Sequence, residues 1–155
     1  MPLSNSILSR LQYQHQTIFE LTKNFSEEQL KKRIIPGKWS AFENMVHLCA
    51  YQPTFISCIE RMMEENNPSF ERYIAEKDTL FYECLELSLA ELFTKIINDR
   101  EIIIIKLKLL SDEQLKRTGN HPKYGALSIL QWSDFFLLHE AHHLWAIIQL
   151  VFSVS

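Results

Sequence analysis

Apolar residues recur three or four positions apart in four long segments of the chain, and this spacing is typical of amphipathic helices. The segments predict helices over residues 4 to 25, 41 to 65, 89 to 110 and 129 to 152. No segment shows the sustained alternation of apolar and polar residues that marks a half-buried strand, so the pattern argues against a sheet. The chain is therefore predicted to be all-α.

Three of the four helices begin at a capping box, in which a serine is followed three residues later by Glu or Gln. The pairs are Ser40 with Glu43, Ser88 with Glu91, and Ser128 with Gln131. Four amphipathic helices of this length predict a four-helix bundle. The link from about 66 to 87 is long for a bundle, so it is expected to carry a short helix of its own near 70 to 84.

The sequence contains a loose internal repeat. Residues 26 to 40, SEEQLKKRIIPGKWS, resemble residues 111 to 128, SDEQLKRTGNHPKYGALS, and each copy leads into a helix that carries histidine. His47 follows its capping serine by 7 residues, and His139 and His143 follow theirs by 11 and 15. These offsets differ by four residues, about one helical turn. All three side chains are therefore expected to point in nearly the same direction relative to the capping serine of their helix.

Residues 139 to 143 read HEAHH, which matches the H-E-x-x-H pattern of zinc proteases, where two histidines bind the ion and the glutamate is the general base. Such proteases take a third ligand downstream, but none of the twelve residues after His143 is His, Glu or Asp. A third ligand must therefore come from upstream, and His47 fits. The alternative is that His139 and His143 are core histidines with hydrogen bonds inside the protein.

Three imidazoles at one point would offer three nitrogen ligands to a divalent ion and leave positions for water or substrate, as in catalytic zinc sites. The apolar stripe of the fourth helix contains no carboxylate or amide that could pair with the buried ring nitrogens instead. We therefore predict a metal site on His47, His139 and His143. Imidazole ligation suits nickel, zinc, copper and iron alike.

Four further polar residues are candidate site residues. Glu140 lies inside the HEAHH motif and is interpreted either as solvated or as close enough to the ion to act as a base. His15 and Arg100 lie on inward stripes, and Arg100 is either a snorkelling or ion-paired side chain or a pocket cation for a carboxylate-bearing thiol. His121 lies in a loop that either overhangs the pocket or only forms the turn around Pro122.

Composition narrows the class of protein. Sixteen basic and nineteen acidic residues give a net charge of −3, so no cationic surface is expected for a nucleic acid. Cys49, Cys58 and Cys84 form no C-x-x-C pair, which predicts reduced thiols in a cytoplasmic protein. We expect no secretory signal and no membrane span, because the histidines and Glu140 interrupt the apolar C-terminal run. Residues 1 to 155 are expected to form one domain.

The stretches PGKWSAFENMVHLCAYQ and HPKYGALSILQWSDFFLLHEAHHLWAIIQL, with an arginine midway along the third helix, resemble the DinB-like, or YfiT-type, metal-binding family, which is distinct from the DNA polymerase sharing that name. The resemblance covers about residues 5 to 150. Its anchors are Trp39 with His47 eight residues later, and the H-x-x-x-H pair His139 and His143. It implies an up-down-down-up four-helix bundle with a metalloenzyme fold and one nickel or zinc ion on these three histidines.

The resemblance also implies an activity. Members with assigned chemistry are mostly transferases of a low-molecular-weight thiol, namely bacillithiol, mycothiol or glutathione. The leading interpretation is that the ion binds such a thiol, lowers its pKa and presents the thiolate to an electrophile. A second is that the ion activates water for hydrolysis with Glu140 as base. A third is a metal-containing bundle that binds a ligand or partner without catalysis.

A homodimer is the expected assembly. The resemblance implies it, and the four consecutive isoleucines at 102 to 105 cover more of the third helix's circumference than one core face requires. Apart from this second copy, the expected partner is a small-molecule substrate.

Overall fold

The computed structural model describes residues 3 to 154, and helices account for most of it. In chain order the elements are α1 (Asn5–Tyr13), α2 (Gln16–Thr22), α3 (Glu27–Lys31), α4 (Ala41–Glu64), a 3₁₀ turn (Ala75–Lys77), α5 (Thr79–Leu85), α6 (Leu89–Leu109), α7 (Asp112–Leu115), β1 (Thr118–His121), β2 (Gly125–Ser128) and α8 (Ile129–Val154). The bundle consists of the α1–α2 segment, α4, α6 and α8. The three predicted long helices after the first are therefore confirmed to within two residues at each end.

The second and third bundle helices, α4 and α6, are parallel. The Gln52 side chain donates to the carbonyl of Ile96 at 2.9 Å, and Glu60 pairs with Lys106 at 2.6 Å, so both helices advance in the same direction along the contact. A parallel pair needs a long crossover, which explains the length of the link between them. That link holds the 3₁₀ turn and α5, where the sequence predicts a short helix.

The fourth helix, α8, is antiparallel to α4. Asn44 contacts His143, whereas Phe55, further along α4, stacks on Phe136 near the start of α8. The α1–α2 segment runs parallel to α8, because Arg10 bonds to Asp134 and Gln14 bonds to the carbonyl of Leu137. These directions give the predicted up-down-down-up topology, which is confirmed.

The predicted capping boxes are present and explain where the helices begin. Both reciprocal hydrogen bonds form at Ser40–Glu43, Ser88–Glu91 and Ser128–Gln131. The two copies of the internal repeat form further capping boxes, Ser26–Gln29 on α3 and Ser111–Gln114 on α7. The repeat therefore encodes a short helix that leads into each histidine-bearing helix.

The first bundle helix is not continuous, so the prediction of one helix from 4 to 25 is wrong. α1 ends at Tyr13 and α2 begins at Gln16. In an unbroken helix the carbonyl of Leu11 would accept from the backbone N–H of His15. Here Arg100 donates to that carbonyl at 3.3 Å. A side chain inserted into the helical hydrogen-bond ladder is a common cause of such a break.

A two-stranded antiparallel hairpin precedes α8, although the sequence predicts no strands. Each strand, β1 and β2, has four residues, which is too short for a recognisable alternation of apolar and polar positions. The hairpin is attached to the link after α4, because Phe70 donates to the carbonyl of Asn120 at 3.0 Å and Asn120 donates to that of Pro68 at 2.7 Å. It therefore forms one wall beside the bundle.

The buried apolar residues fall into two clusters along the bundle, one near each end. Between the clusters, the middle parts of the bundle helices contribute buried polar side chains, among them His47, Gln52, Arg100 and Glu140. The three cysteines are buried in the clusters as free thiols. The polar layer between the clusters contains the candidate site.

Helix α8 is long and apolar enough over Ile129–Ser153 to cross a membrane by length and composition alone. Contrary to the expectation from the sequence, the histidines and Glu140 of α8 do not interrupt the apolar run enough to exclude this length. In the bundle, α8 packs against α4 and the α1–α2 segment, and Glu140 forms a buried ion pair with Arg100. This packing buries 39% of the most apolar stretch of α8 and accounts for that part of its apolar composition.

Candidate metal centre

His47, on α4, meets His139 and His143, one turn apart on α8. One ring nitrogen from each lies within 4.8 Å of the others. The Nε2 atoms of His47 and His139 are 2.9 Å apart. The three rings meet where α4 and α8 cross as antiparallel helices. This agrees with the prediction that the three histidines point in nearly the same direction relative to their capping serines.

Burial keeps all three imidazoles neutral. It is the main cause that lowers the pKa of each ring to about 3, and the neighbouring histidines lower it further. Neutral imidazole is the form that binds metal ions. The Nδ1 atoms of His47 and His139 are buried and have no hydrogen-bond partner in the described part of the chain. Buried ring nitrogens normally form hydrogen bonds. The contact between His47 and His139 uses only their Nε2 atoms, so both Nδ1 atoms remain without a partner.

The donor set fits a divalent ion that accepts nitrogen ligands. Three imidazoles face each other, and no hydrogen bond joins a carboxylate to any of these rings within residues 3 to 154. Three histidines with further positions left open are the ligand set of catalytic zinc sites. The same set suits nickel, so the arrangement is consistent with one ion but does not select the metal.

Asn44 is a polar contact of this centre that the sequence analysis missed. Its Oδ1 lies 2.8 Å from His143 Nδ1. We expected no amide partner because only the stripe of α8 was considered, whereas Asn44 comes from α4, one turn before His47. The signal was present in the sequence as N-x-x-H on the helix that supplies the third ligand.

Aromatic rings surround the three histidines. The Trp39 ring lies 5.1 Å from that of His47 and 6.1 Å from that of His143. The Tyr51 ring lies 4.6 Å from that of His139. Trp39, one of the anchors of the family resemblance, is therefore part of the wall of the site.

The histidines open onto a cavity of about 660 Å³, which is within the usual size range for small-molecule sites. Its walls come from α4, from residues 70 to 76 of the link, from the hairpin loop and from α8. Besides the three histidines, the polar or charged side chains on these walls include those of Tyr51, Thr54, Glu71, Arg72, Tyr73, Glu76, His121, Lys123 and Tyr124. A ligand in this cavity would reach the three histidines.

His121 lies at the end of β1 and lines the cavity, so the prediction of a loop histidine over the pocket agrees with its position. It also forms the turn, because its Nδ1 accepts from the backbone N–H groups of Lys123 at 3.1 Å and Tyr124 at 3.2 Å. Burial, with the nearby Lys123 charge, lowers the pKa of His121. The neutral ring then carries its proton on Nε2.

Glu140, Arg100 and His15 lie elsewhere. Glu140 is buried, forms an ion pair with Arg100 and accepts from Gln14 Nε2 at 3.0 Å. Glu140 does not line the histidine cavity. It follows His139 by one residue, and successive side chains on a helix point about 100° apart. The interpretations of Glu140 as a solvated side chain and as a base beside the ion are therefore both wrong.

Arg100 is the buried ion-paired side chain that one of the two sequence interpretations describes. Its Nε donates to Gln52 Oε1 at 2.8 Å, and its Nη1 lies 3.5 Å from His15 Nδ1. Burial and the Arg100 charge lower the pKa of His15 to about 4. His15 and Arg100 line a separate groove between the α1–α2 segment and α6, so neither belongs to the histidine pocket.

These features define a class of protein: an up-down-down-up helical bundle in which two antiparallel helices bring three neutral histidines to the wall of an open cavity. The chain belongs to the DinB superfamily, whose sequence pattern matches residues 10–147. The H-E-x-x-H match is thus the H-x-x-x-H of this family with a buried structural glutamate inside it. The family resemblance seen in the sequence is confirmed.

Two solved structures are similar in fold. YfiT from Bacillus subtilis, described as a probable metal-dependent hydrolase with an unusual four-helix bundle topology, matches with a TM-score of 0.81 and 16% identity over 94% of this chain and 84% of that chain. TT2238, a four-helix bundle protein, matches with a TM-score of 0.66 and 22% identity over 92% of this chain and 95% of that chain. No curated protein matches this sequence.

Proposed function

We propose that this protein is a metal-dependent hydrolase whose divalent ion is held by His47, His139 and His143. The observation that carries the proposal is the meeting of three neutral imidazoles, one buried and two partly buried, on the wall of a cavity large enough for a small substrate. The similarity to YfiT, described as a probable metal-dependent hydrolase, supports it. A bound divalent ion supplies Lewis acidity and lowers the pKa of a water molecule.

The residues of the chain have three tasks in this proposal. The three histidines present unprotonated nitrogens to the ion. Trp39 restricts water around two of the rings. Burial raises the pKa of Tyr51, so its hydroxyl remains protonated and can donate a hydrogen bond to a substrate carbonyl in the cavity.

Glu140 has no part in proton transfer here, because Arg100 and Gln14 occupy its oxygens. The wall of the cavity offers other groups that could carry a proton, namely Glu71, Glu76 and His121. A general base is not essential, since three-histidine zinc sites activate water without a neighbouring carboxylate ligand.

Thiol transfer, the activity implied by the family resemblance, is a second candidate. Arg72 and Lys123 line the cavity, and neither pairs with a carboxylate in the described part of the chain. Two such cations could bind the carboxylates of a low-molecular-weight thiol. Glu71 and Glu76 line the same cavity and offset this charge.

The first test measures metal content. Purified wild-type protein is expected to contain one nickel or zinc ion per chain by elemental analysis, and His47→Ala to contain none. His142→Ala is the matched control: it removes an exposed histidine beside His143 and should retain the ion. Full metal occupancy in His47→Ala would remove the basis of the proposal.

The second test measures activity. Wild type and His142→Ala are expected to hydrolyse a member of a panel of esters and amides, and His47→Ala to lose this activity while keeping its circular dichroism spectrum. Conjugation of bacillithiol, mycothiol or glutathione to an electrophile, without hydrolysis, would favour thiol transfer instead. Metal-loaded protein inactive in both panels would favour the non-catalytic interpretation.

A further inference from the structure

The Asn44 amide is held in one orientation by two hydrogen bonds. Its Nδ2 donates to the backbone carbonyl of Ser40 at 2.9 Å, and its Oδ1 lies 2.8 Å from His143 Nδ1. Rotating the amide by half a turn would bring Oδ1 against the Ser40 carbonyl, and two acceptors cannot bond to each other. Asn44 is buried, so water cannot replace either bond at low cost.

This orientation determines where the proton of His143 lies. Because an amide oxygen only accepts, His143 Nδ1 must carry the hydrogen of the 2.8 Å bond. The other ring nitrogen, Nε2, then has its lone pair free for an ion. His143 is therefore in the tautomer that a metal ligand needs before any ion binds.

The other two rings differ from His143 in this respect. His47 and His139 have no partner at Nδ1 within residues 3 to 154, and their Nε2 atoms face each other. In this contact one ring carries its hydrogen on Nε2 and the other on Nδ1, but nothing in the described structure selects which ring donates. Of the three ligands, His143 is the one whose orientation and proton position the protein fixes.

We infer that Asn44 is a positioning residue that holds His143 in the Nδ1–H tautomer and thereby prepares it to bind the metal ion. Hydrogen bonds to the second nitrogen of a ligating histidine fix the ring and raise its basicity, and their loss costs roughly 10- to 100-fold in metal affinity or activity. The inference rests on the metal site of the proposed function. It assigns Asn44 no contact with substrate.

The direct test is ¹⁵N nuclear magnetic resonance of the histidine rings in metal-free protein at neutral pH. Wild type is expected to show His143 protonated at Nδ1. Asn44→Leu, which keeps the approximate size but cannot accept a hydrogen bond, is expected to lose the preference for this tautomer. Asn44→Asp restores an acceptor and should restore the preference. An Nε2–H tautomer at His143 in wild type would overturn the inference without any variant.

The second readout is zinc affinity, measured by competition with a chelator. Asn44→Leu is expected to bind zinc about 10- to 100-fold more weakly than wild type, and Asn44→Asp at least as tightly as wild type. Ser133→Ala is the matched control: it removes a buried hydroxyl that bonds to the backbone of α8 but lies outside the centre, and should leave affinity unchanged. Unchanged affinity in folded Asn44→Leu would overturn the inference.

The two proposals fail in different ways. If wild type binds no divalent ion, the metal site of the proposed function fails and Asn44 has no ligand to position. If wild type binds zinc with the expected response to Asn44 substitutions but hydrolyses nothing, the inference stands and the proposed activity fails.

Discussion

Arg100 is fully buried, so its charge has to be balanced by groups inside the bundle. Glu140 supplies the opposite charge, while Gln52 and the carbonyl of Leu11 accept further hydrogen bonds. A buried ion pair contributes little net stability, but loss of one partner leaves an uncompensated charge. The pair therefore constrains which substitutions the centre of the bundle tolerates.

Glu140→Gln is expected to lower the free energy of unfolding by about 3–5 kcal/mol, because Arg100 would remain buried without a counter-charge. Chemical denaturation of metal-free protein measures the change. In the protein that remains folded, the metal content should match wild type, because Glu140 does not contact the three histidines.

Asp134→Asn is the control for this prediction. It removes the acid of a partly exposed ion pair between Arg10 and α8, so its cost should stay within about 1 kcal/mol. An equal cost for both substitutions would show that burying the ion pair does not increase the cost of breaking it.

Sequence reasoning identified the three histidines because their facing follows from spacing within each helix and from the internal repeat. It did not identify the contacts of Asn44 and Glu140, since these cross from one helix to another. Such contacts depend on how each helix is rotated about its own axis, and spacing along one chain segment does not give that rotation.

The hairpin is the element whose placement controls one wall of the cavity. A Cβ atom at Gly119 would lie 2.4 Å from a side-chain atom of Phe70 and 2.9 Å from one of Met62. A side chain at position 119 would force Phe70 and Met62 to shift, so glycine allows β1 to approach the link and α4 this closely. The Trp132 indole donates to the Gly119 carbonyl at 3.2 Å, which adds a second attachment to α8.

Gly119→Ala is expected to destabilise the protein by about 1–3 kcal/mol, the usual cost of forcing extra volume into a packed site. Thermal unfolding followed by circular dichroism measures this loss. Because Phe70 and His121 both line the cavity, ligand binding in the cavity should also weaken.

Ala126→Val adds volume to the same hairpin at an exposed position of β2, paired opposite Asn120, and should be close to neutral. If Gly119→Ala were as neutral as this control, the close packing of β1 would not be important for stability.

At the element scale, the long helices were predictable because each has a capping box and an apolar stripe of more than five turns. The hairpin and the break in the first helix were not. The strands of the hairpin are stabilised by contacts with the link and α8, and the break is associated with Arg100 from α6. Both depend on residues distant in sequence, so local patterns contained no signal for them.

The whole molecule is expected to lose stability in mild acid. The folded-state pKa of His15 is about 4 and those of the three ligand histidines are about 3, against about 6.5 in an unfolded chain. As pH falls below 6.5, the unfolded chain takes up protons that the folded protein does not, so the stability present above this pH is lost progressively towards pH 3.

The unfolding temperature of metal-free protein should therefore fall between pH 6.5 and 5, a window in which ordinary carboxylates titrate little. Circular dichroism melts at constant ionic strength measure it. Saturating zinc should raise the unfolding temperature at neutral pH. This effect should disappear at lower pH, because protons compete with zinc for the imidazoles. An unfolding temperature of the metal-free protein that stays constant between pH 6.5 and 5 would contradict the inference that these histidines stay neutral in the folded protein.

The homodimer remains a prediction of the sequence. Ile102 and Ile105 are 44% and 58% exposed on α6 and, with Leu109 at 78%, leave an apolar stripe on one face of the helix. Light scattering is expected to give twice the chain mass of 18.3 kDa, and Ile105→Lys to give the chain mass. Trp145→Lys, at an equally exposed apolar position on α8, should leave the dimer intact; dissociation by this variant alone would place the interface elsewhere.

The separation of the ligands along the chain affects when an ion can be captured during biosynthesis. His47 leaves the ribosome early, whereas His139 follows it by 92 residues. A nascent chain that has produced α1 to α7 holds one of the three imidazoles, and one imidazole is a weak competitor for metal in a cell. If the proposed metal site is correct, metal loading is expected to wait until α8 has been synthesised and docked against α4, so that a bound ion would mark completed folding.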